Sequence, residues 1–374
     1  MTSNNKTKIF VDCHVFDKGF QGTRTYIQGL YLELIKDKSK QFYFASNNLE
    51  NLKIVFGNQE SITYISYSSK SAFIRLLFEI PRLIFKHKID FAHFQYRVPP
   101  LKLCKYIVTT HDVLFEDFPE DFPKLNRIQS FVTYKISAKL SDIVFTVSEY
   151  SKKQIEKHLK VKNVIVMPNC VSDVFFEEYD KQIIQKQVLN QFGFSNYLIY
   201  ISRWEPRKNH HLLLKAFIDQ NLFDDFNLVF VGDDTFKNKE YEQIYTKLSD
   251  DIKRKIFTFK KVDFAVMLLL LRGAKASAYP SRAEGFGIPP LEAIAATIPT
   301  ISSNQTAMSD FKFLNDYLFD PNSKSEFEEK LLNVLKNKDV EIENKKEYVK
   351  QHYNWEIAAN IYQKILQKTI DSSR

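Results

Sequence analysis

The sequence predicts an α/β fold of the doubly wound type, divided between two domains. Three observations point there. A chain of 374 residues is long for a single core and suits two cores of ordinary size. Short apolar runs alternate along its length with segments whose apolar residues recur at helical spacing. Several of those runs end in a polar or glycine-bearing cluster, the place where an open parallel sheet meets its ligands.

Residues 7–13 (TKIFVDC) read as a short buried strand. A loop marked by Gly19 and Gly22 follows, and then Tyr26, Ile27, Leu30, Tyr31 and Leu34 recur as one helical face. The loop lacks GxGxxG, so no dinucleotide fingerprint is present. Residues 41–46 and 61–67 are strand-like. In 72–88 the polar residues Arg75, Glu79, Arg82 and Lys86 share one stripe of a mostly apolar segment interrupted by Pro81. Two readings fit: a helix packed on the sheet, or an interfacial helix with basic residues near lipid headgroups. Runs 89–96 and 105–115 are further strands, the first carrying His93 and the second His111 and Asp112. Residues 141–159 read as strand, Ser148 cap and helix. Residues 161–169 read as a strand ending at a Pro-Asn break.

The polar stretch 170–195 is taken as the bridge between domains. A second α/β set begins with 196–217, a strand, a basic loop and a helix. Arg203, Arg207 and Lys208 place three cations where that strand ends. Run 226–234 is a strand closing at Gly232; the aspartates at 233 and 234 do not form a D-x-D metal motif. Residues 256–262, 263–273 and 299–304 read as strand, helix and strand. The tail, 341–368, is helical, with Trp355 as a packing anchor. The domain boundaries follow: 1–170, then 171–354, with 355–374 returning to the first domain.

The stretch 279–296, YPSRAEGFGIPPLEAIAA, organises the second half. The apolar run Ala276–Tyr279 leads into a loop where Gly285 and Gly287 flank Phe286. A helix opens at Pro289–Pro290, since proline fits a first turn that needs no N–H. Such an end attracts anions such as phosphate. Glu284 lies in the loop and Glu292 in the first helical turn, and carboxylates there suit hydroxyl-rich ligands.

This stretch resembles the E-x7-E element of the retaining glycosyltransferases of family four (glycosyl transferases group 1). The resemblance implies the GT-B fold, two Rossmann-like domains facing a central cleft. It further implies that the protein transfers a hexosyl group from a nucleoside-diphosphate sugar, GDP-mannose-like, to a glycan or lipid-linked acceptor in cell-surface polysaccharide assembly. Carried over residue by residue, Glu292 would bond the ribose and Glu284 the donor sugar. Gly285, Phe286 and Gly287 would offer amides to sugar and phosphate. Arg203 and Lys208 would neutralise the leaving diphosphate, with Arg207 in reserve. Gly22 matches the family's N-terminal glycine loop near the donor phosphates, and His111 its strand-end histidine against the transferred sugar. Ser202 stands where the family often has glycine, and Asp310 where it usually has glutamate. Two rival readings share the architecture: a sugar-nucleotide epimerase or phosphorylase, and a non-catalytic nucleotide-sugar sensor.

The net charge of +8 is lopsided: residues 1–165 hold 25 Lys and Arg against 16 Asp and Glu. No nucleic-acid-binding motif accompanies it, and an anionic membrane surface or a phosphorylated acceptor explains it at least as well as nucleic acid. Three scattered cysteines and no visible signal peptide are expected of a cytoplasmic protein, peripheral at the inner membrane face. No cluster has metal-ligand spacing, so metal-independent chemistry is expected, with no cofactor beyond the nucleotide-sugar substrate.

Overall fold

A computed structural model describes residues 6–17, 22–233, 238–336 and 341–372. The chain forms two units, Met1–Cys170 with Trp355–Arg374, and Val171–Asn354. Each is built on one parallel sheet.

The first unit contains β1 (Thr7–Asp12), β2 (Lys40–Ser46), β3 (Ile62–Ser66), β4 (Phe91–Gln95), β5 (Lys105–Thr109), β6 (Ile143–Thr146) and β7 (Ile165–Val166). Their spatial order is β3-β2-β1-β4-β5-β6-β7, so the order reverses between β1 and β4. Strands covered on both faces must be apolar throughout. Ile9, Phe10 and Val11 of β1 are accordingly all buried. Helix Gly22–Leu34 buries the expected face, Tyr26, Ile27, Leu30, Tyr31 and Leu34. The C-terminal helix Trp355–Asp371 lies across it. A Cβ on Gly29 would sit 2.0 Å from the Trp355 ring, so glycine is required for that approach.

On one face of the sheet, Ile80 and Ile84, Ala138, and Ile155 and Leu159 join the strand residues Phe94, Tyr106 and Val108 in a single core. The segment 72–87 is helical with a π-turn at Arg75–Glu79, where the Ile80 amide donates to the Arg75 carbonyl five residues back. Its inward side packs on the sheet. Phe73, Phe78 and Phe85 point to solvent beside the exposed Arg82 and Lys86. Arg75 departs from the expected polar stripe: it is buried, with Nε 3.5 Å from Asp12. Helix Lys124–Leu140 buries only Ser137 and Ala138 and exposes Leu125, Ile128, Val132 and Ile136.

The second unit holds β8 (Tyr197–Ile201), β9 (Asn227–Val231), β10 (Ile256–Phe259), β11 (Ala276–Tyr279), β12 (Thr300–Ser303) and β13 (Leu318–Phe319), in the order β10-β9-β8-β11-β12-β13. The order reverses between β8 and β11. The stretch 170–195 is more than a polar bridge. It contains helix Lys181–Phe192, capped by the Asp180 side chain at one end and by Gly193 in the left-handed conformation at the other. That helix packs on Phe264–Gly273 through Val188. The tail also differs from one continuous helix, breaking at Tyr353–Asn354 between Ile342–His352 and Trp355–Asp371. Gly19 and Asp234 lie outside the described residues.

Candidate active site

Two loops at the carboxyl ends of β8 and β11 meet at the reversal point of the second sheet. After β8 the chain makes a short 3₁₀ turn, Pro206–Lys208, and Asn209 takes a left-handed conformation (φ 57°) to start helix His210–Asp219. The Tyr200 hydroxyl donates to the Lys208 carbonyl at 2.7 Å and lies 3.1 Å from Ser281 Oγ. The Arg282 amide donates to the Arg207 carbonyl at 2.7 Å. These bonds hold the two loops together. Gly232, ending β9, approaches so closely that a Cβ there would sit 1.9 Å from the Ser202 carbonyl oxygen.

In the second loop, Gly287 has φ 97° and leads into helix Ile288–Ala295. A side chain on Gly287 would meet Met308 at 2.9 Å, so both conformation and space call for glycine. Positions 289 and 290 have no N–H. The amides of Phe286, Gly287 and Ile288 have no acceptor among the described residues. The Phe286 ring is occupied elsewhere, 5.7 Å from Phe311 and 5.9 Å from Tyr353, which leaves its main chain to face a ligand. Thr306 supports the loop by accepting the Glu284 amide at 2.9 Å. It does so with φ 54°, an uncommon conformation for a β-branched residue and one found where a site fixes the backbone.

Charge converges on Glu284. Lys208 pairs with its Oε1, and an Arg207 nitrogen lies 3.5 Å from Oε2 while donating to the Ala283 carbonyl at 2.6 Å. Arg207 also pairs with Glu205 at 2.6 Å, and Glu205 with Arg203 at 2.7 Å. Burial by itself would raise the Glu284 pKa, but Lys208 and then Arg207 outweigh it and hold the carboxyl below its usual value. Burial draws the Lys208 ammonium below the usual lysine value, with Glu284 opposing. Glu292 contrasts with this. It has no ion-pair or hydrogen-bond partner among the described residues, and burial pushes its pKa up to about 7.

Of the three cations in the basic loop, Arg207 and Lys208 therefore reach Glu284. Arg203 is mostly exposed and joins the group only through Glu205. Glu205 and Thr306 were not singled out from sequence. Glu205 stands inside the cationic run WEPRK, where a lone carboxylate is itself a signal. Thr306 carries no such signal, because only the tertiary fold brings it to Glu284.

His111 and Gly22 belong to the first unit. His111, just past β5, is buried with Nε2 2.5 Å from the Gln95 side-chain oxygen, and Tyr26 meets its ring edge-on at 4.9 Å. Burial lowers its pKa to about 3, so it is neutral at physiological pH. Gly22 is the first residue of its helix, and nothing among the described residues lies within 4 Å of where its Cβ would be. His93 is structural, held between the Tyr31 hydroxyl at 2.7 Å and Thr109 Oγ1 at 2.8 Å. No group of three His, Cys, Asp or Glu residues could hold a metal ion among the described residues.

Two Rossmann-like sheets with this strand-end site define the class of GT-B glycosyltransferase folds. The structure matches a sucrose-phosphate synthase from Thermosynechococcus elongatus with a TM-score of 0.77 at 15% identity, over 98% of this chain and 100% of that one. More particularly, residues 21–174 match Glycosyltransferase Family 4, and residues 181–355 match Glycosyl transferases group 1. The O-antigen chain mannosyltransferase RfbU of Salmonella typhimurium is 30% identical over 199 residues, 53% of this chain and 51% of its own. O-antigen chain mannosyltransferase B of Escherichia coli is 23% identical over 319 residues, 78% and 82% of the two chains. The chain thus spans about half the length of the Salmonella relative.

Proposed function

We propose that the protein is a retaining, metal-independent hexosyltransferase that moves a sugar, with mannose favoured, from a nucleoside-diphosphate donor to a glycan or lipid-linked acceptor in cell-surface polysaccharide assembly. One observation carries the reading. Lys208 and Arg207 converge beside a helix N-terminus opened by Gly287, while the unpartnered Glu292 lies on that helix.

The chemistry follows from where charge develops. The bond between the anomeric carbon and the diphosphate oxygen breaks as the acceptor hydroxyl oxygen bonds that carbon and passes its proton to the departing phosphate oxygen. Negative charge grows on the departing phosphate. A unit charge pair at about 4 Å is worth on the order of 4 kcal/mol at an effective dielectric near 20. Fixed cations and amides placed there stabilise the transition state without having to reorganise. Lys208 and Arg207 supply the cations, and Phe286, Gly287 and Ile288 the amides. Glu292 accepts from the ribose hydroxyls, and Glu284 from the donor sugar. The mannosyl donor and polysaccharide setting rest on the two O-antigen relatives.

The test is nucleoside diphosphate release from a panel of nucleotide-sugars, with and without glycan acceptors. Release that requires both a donor and an acceptor supports a transferase. Release without acceptor, or interconversion of sugar epimers, supports the epimerase or phosphorylase alternative. Binding with no turnover under any condition supports the sensor.

A membrane-facing role for the first unit is part of the same reading. No helix among the described residues is long and apolar enough to cross a membrane. The exposed Phe73, Phe78 and Phe85, with Arg82 and Lys86 beside them, suit contact with an anionic lipid surface on the cytoplasmic side.

A further inference from the structure

A cavity of about 940 Å³ opens in the first unit at the carboxyl ends of β1 and β4, where the strand order reverses. Asp12 and Gln95 end those two strands, and Arg75 enters from the π-turn of the 72–87 segment. Arg97 and the stacked rings of Tyr96 and Tyr134, 4.8 Å apart, form another wall, and Lys70 stands at the rim.

The charges in this cavity are unevenly satisfied. Asp12 accepts the Tyr67 hydroxyl at 2.9 Å and the His14 amide at 3.3 Å, with the His14 ring nitrogen 3.1 Å away. Asp17 accepts from Ser46 at 2.6 Å, Asn47 at 2.9 Å and the Asn48 amide at 2.8 Å. Glu50 is exposed in the first turn of helix Leu49–Phe56. Two of the three carboxylates are therefore supplied with donors from the protein itself.

The cations are not supplied in the same way. Arg75 is only 6% exposed, yet its guanidinium makes no hydrogen bond among the described residues. Among the described residues its one charged contact is the 3.5 Å approach to Asp12. Its Nε is buried without an acceptor among those residues, and a guanidinium donor left unused in a buried place is costly. Arg97 lies 5.8 Å from the Tyr134 ring centroid, and neither it nor Lys70 has a carboxylate partner among the described residues. Spare, convergent cationic donors beside an aromatic wall fit an oxyanion carried on a sugar ring, since pyranose C–H groups pack on tyrosine faces and guanidinium bonds phosphate or carboxylate in bidentate fashion. The volume suits a ligand of one or two sugars.

We propose that this cavity binds the acceptor, and that the acceptor's glycosyl end bears an anionic group, phosphate or carboxylate, which Arg75 anchors with Arg97 and Lys70. The inference rests on the transferase reading for its word acceptor, though the site itself does not depend on it. Calorimetric titration of the full chain tests it with three probes: glucose 1-phosphate, methyl α-D-glucuronide and neutral methyl α-D-glucoside. One or both anionic probes should bind at least tenfold more tightly than the neutral glycoside, and which one binds identifies the oxyanion. Arg75→Gln should weaken that binding at least tenfold. Because Arg75 is buried beside Asp12, the variant Lys70→Ala/Arg97→Ala, altered in less buried side chains, provides a second arm and should lose threefold or more. Lys208→Ala, in the other unit, should leave the Arg75-dependent part of that binding unchanged. Equal affinity for neutral and anionic probes, anionic binding that survives both cavity variants, or binding removed only by Lys208→Ala would overturn the proposal. Failure here with Lys208-dependent nucleoside diphosphate binding intact sinks this inference alone. Loss of nucleotide binding with the cavity site intact sinks the transferase reading instead.

Discussion

Under the proposed function, Glu292 is the residue whose titration reports most directly on a bound nucleotide. Its carboxyl is held neutral up to about pH 7 by burial, whereas ribose hydroxyls donate best to the ionised form. Nucleoside diphosphate affinity should therefore rise between pH 6 and 8, with proton release on binding, and Glu292→Gln should bind more weakly and lose that slope. The stability linkage has a defined sign. With its folded pKa raised, the group's stabilising contribution is full below about pH 4.5 and is lost as pH rises through about 7. Glu292→Gln should accordingly gain on the order of 2 kcal/mol over wild type at pH 8 and little at pH 4, read from urea melts. Lys208→Ala should lower nucleoside diphosphate affinity and turnover about tenfold to a hundredfold, as expected for a lost charge-assisted bond worth roughly 1.5–3 kcal/mol. Glu284, Arg207 and Lys208, which the structure brings together, were legible in sequence, because glycines, prolines and clustered charge are local signals. The order among the cations was not. That Arg207 reaches Glu284 while Arg203 stops at Glu205 is set by the left-handed Asn209 and by loop contacts between residues some 75 positions apart.

At the scale of elements, the strands of both sheets were readable from their apolar runs, except the two-residue β13 at Leu318–Phe319, and several ended sooner than the runs did. The 105–115 run gives a strand only to Thr109, where β5 stops and the loop carrying His111 begins. Helix Lys181–Phe192 was missed because its glutamines and lysines read as linker, and its apolar contact is a narrow stripe completed only by Phe264–Gly273. The focal turn makes its own prediction. Gly287→Ala places a methyl against Met308 at positive φ and should cost about 1–3 kcal/mol, measured by chemical denaturation. The 72–87 segment is two-faced, packed inward and aromatic outward. A Phe78→Ser/Phe85→Ser/Arg82→Glu/Lys86→Glu variant should keep the wild-type circular dichroism and lose sedimentation with anionic vesicles. Arg75 is left out of that set because it serves the interior. If the wild type fails to pellet with such vesicles even at low salt, the membrane-facing role is wrong.

For the whole molecule, the excess of basic residues lies in the first 165 positions, whereas the cations proposed to meet a diphosphate lie in the second unit. The two sets answer to different measurements. Membrane attraction through the first is screened over about 8 Å at physiological salt and should fade as salt rises. The partly buried Lys208 and Arg207 are screened much less, so nucleotide affinity should weaken more gently over the same range. The central claim is that the second unit grips a donor diphosphate with its own cations and amides, without a metal. Titration of the protein with GDP and with UDP in EDTA, for wild type and Lys208→Ala, tests it most directly. The account predicts saturable binding of at least one of them by wild type in EDTA, weakened tenfold or more in the variant. Binding that appears only when Mg²⁺ is added, or that is the same in both proteins, would contradict it.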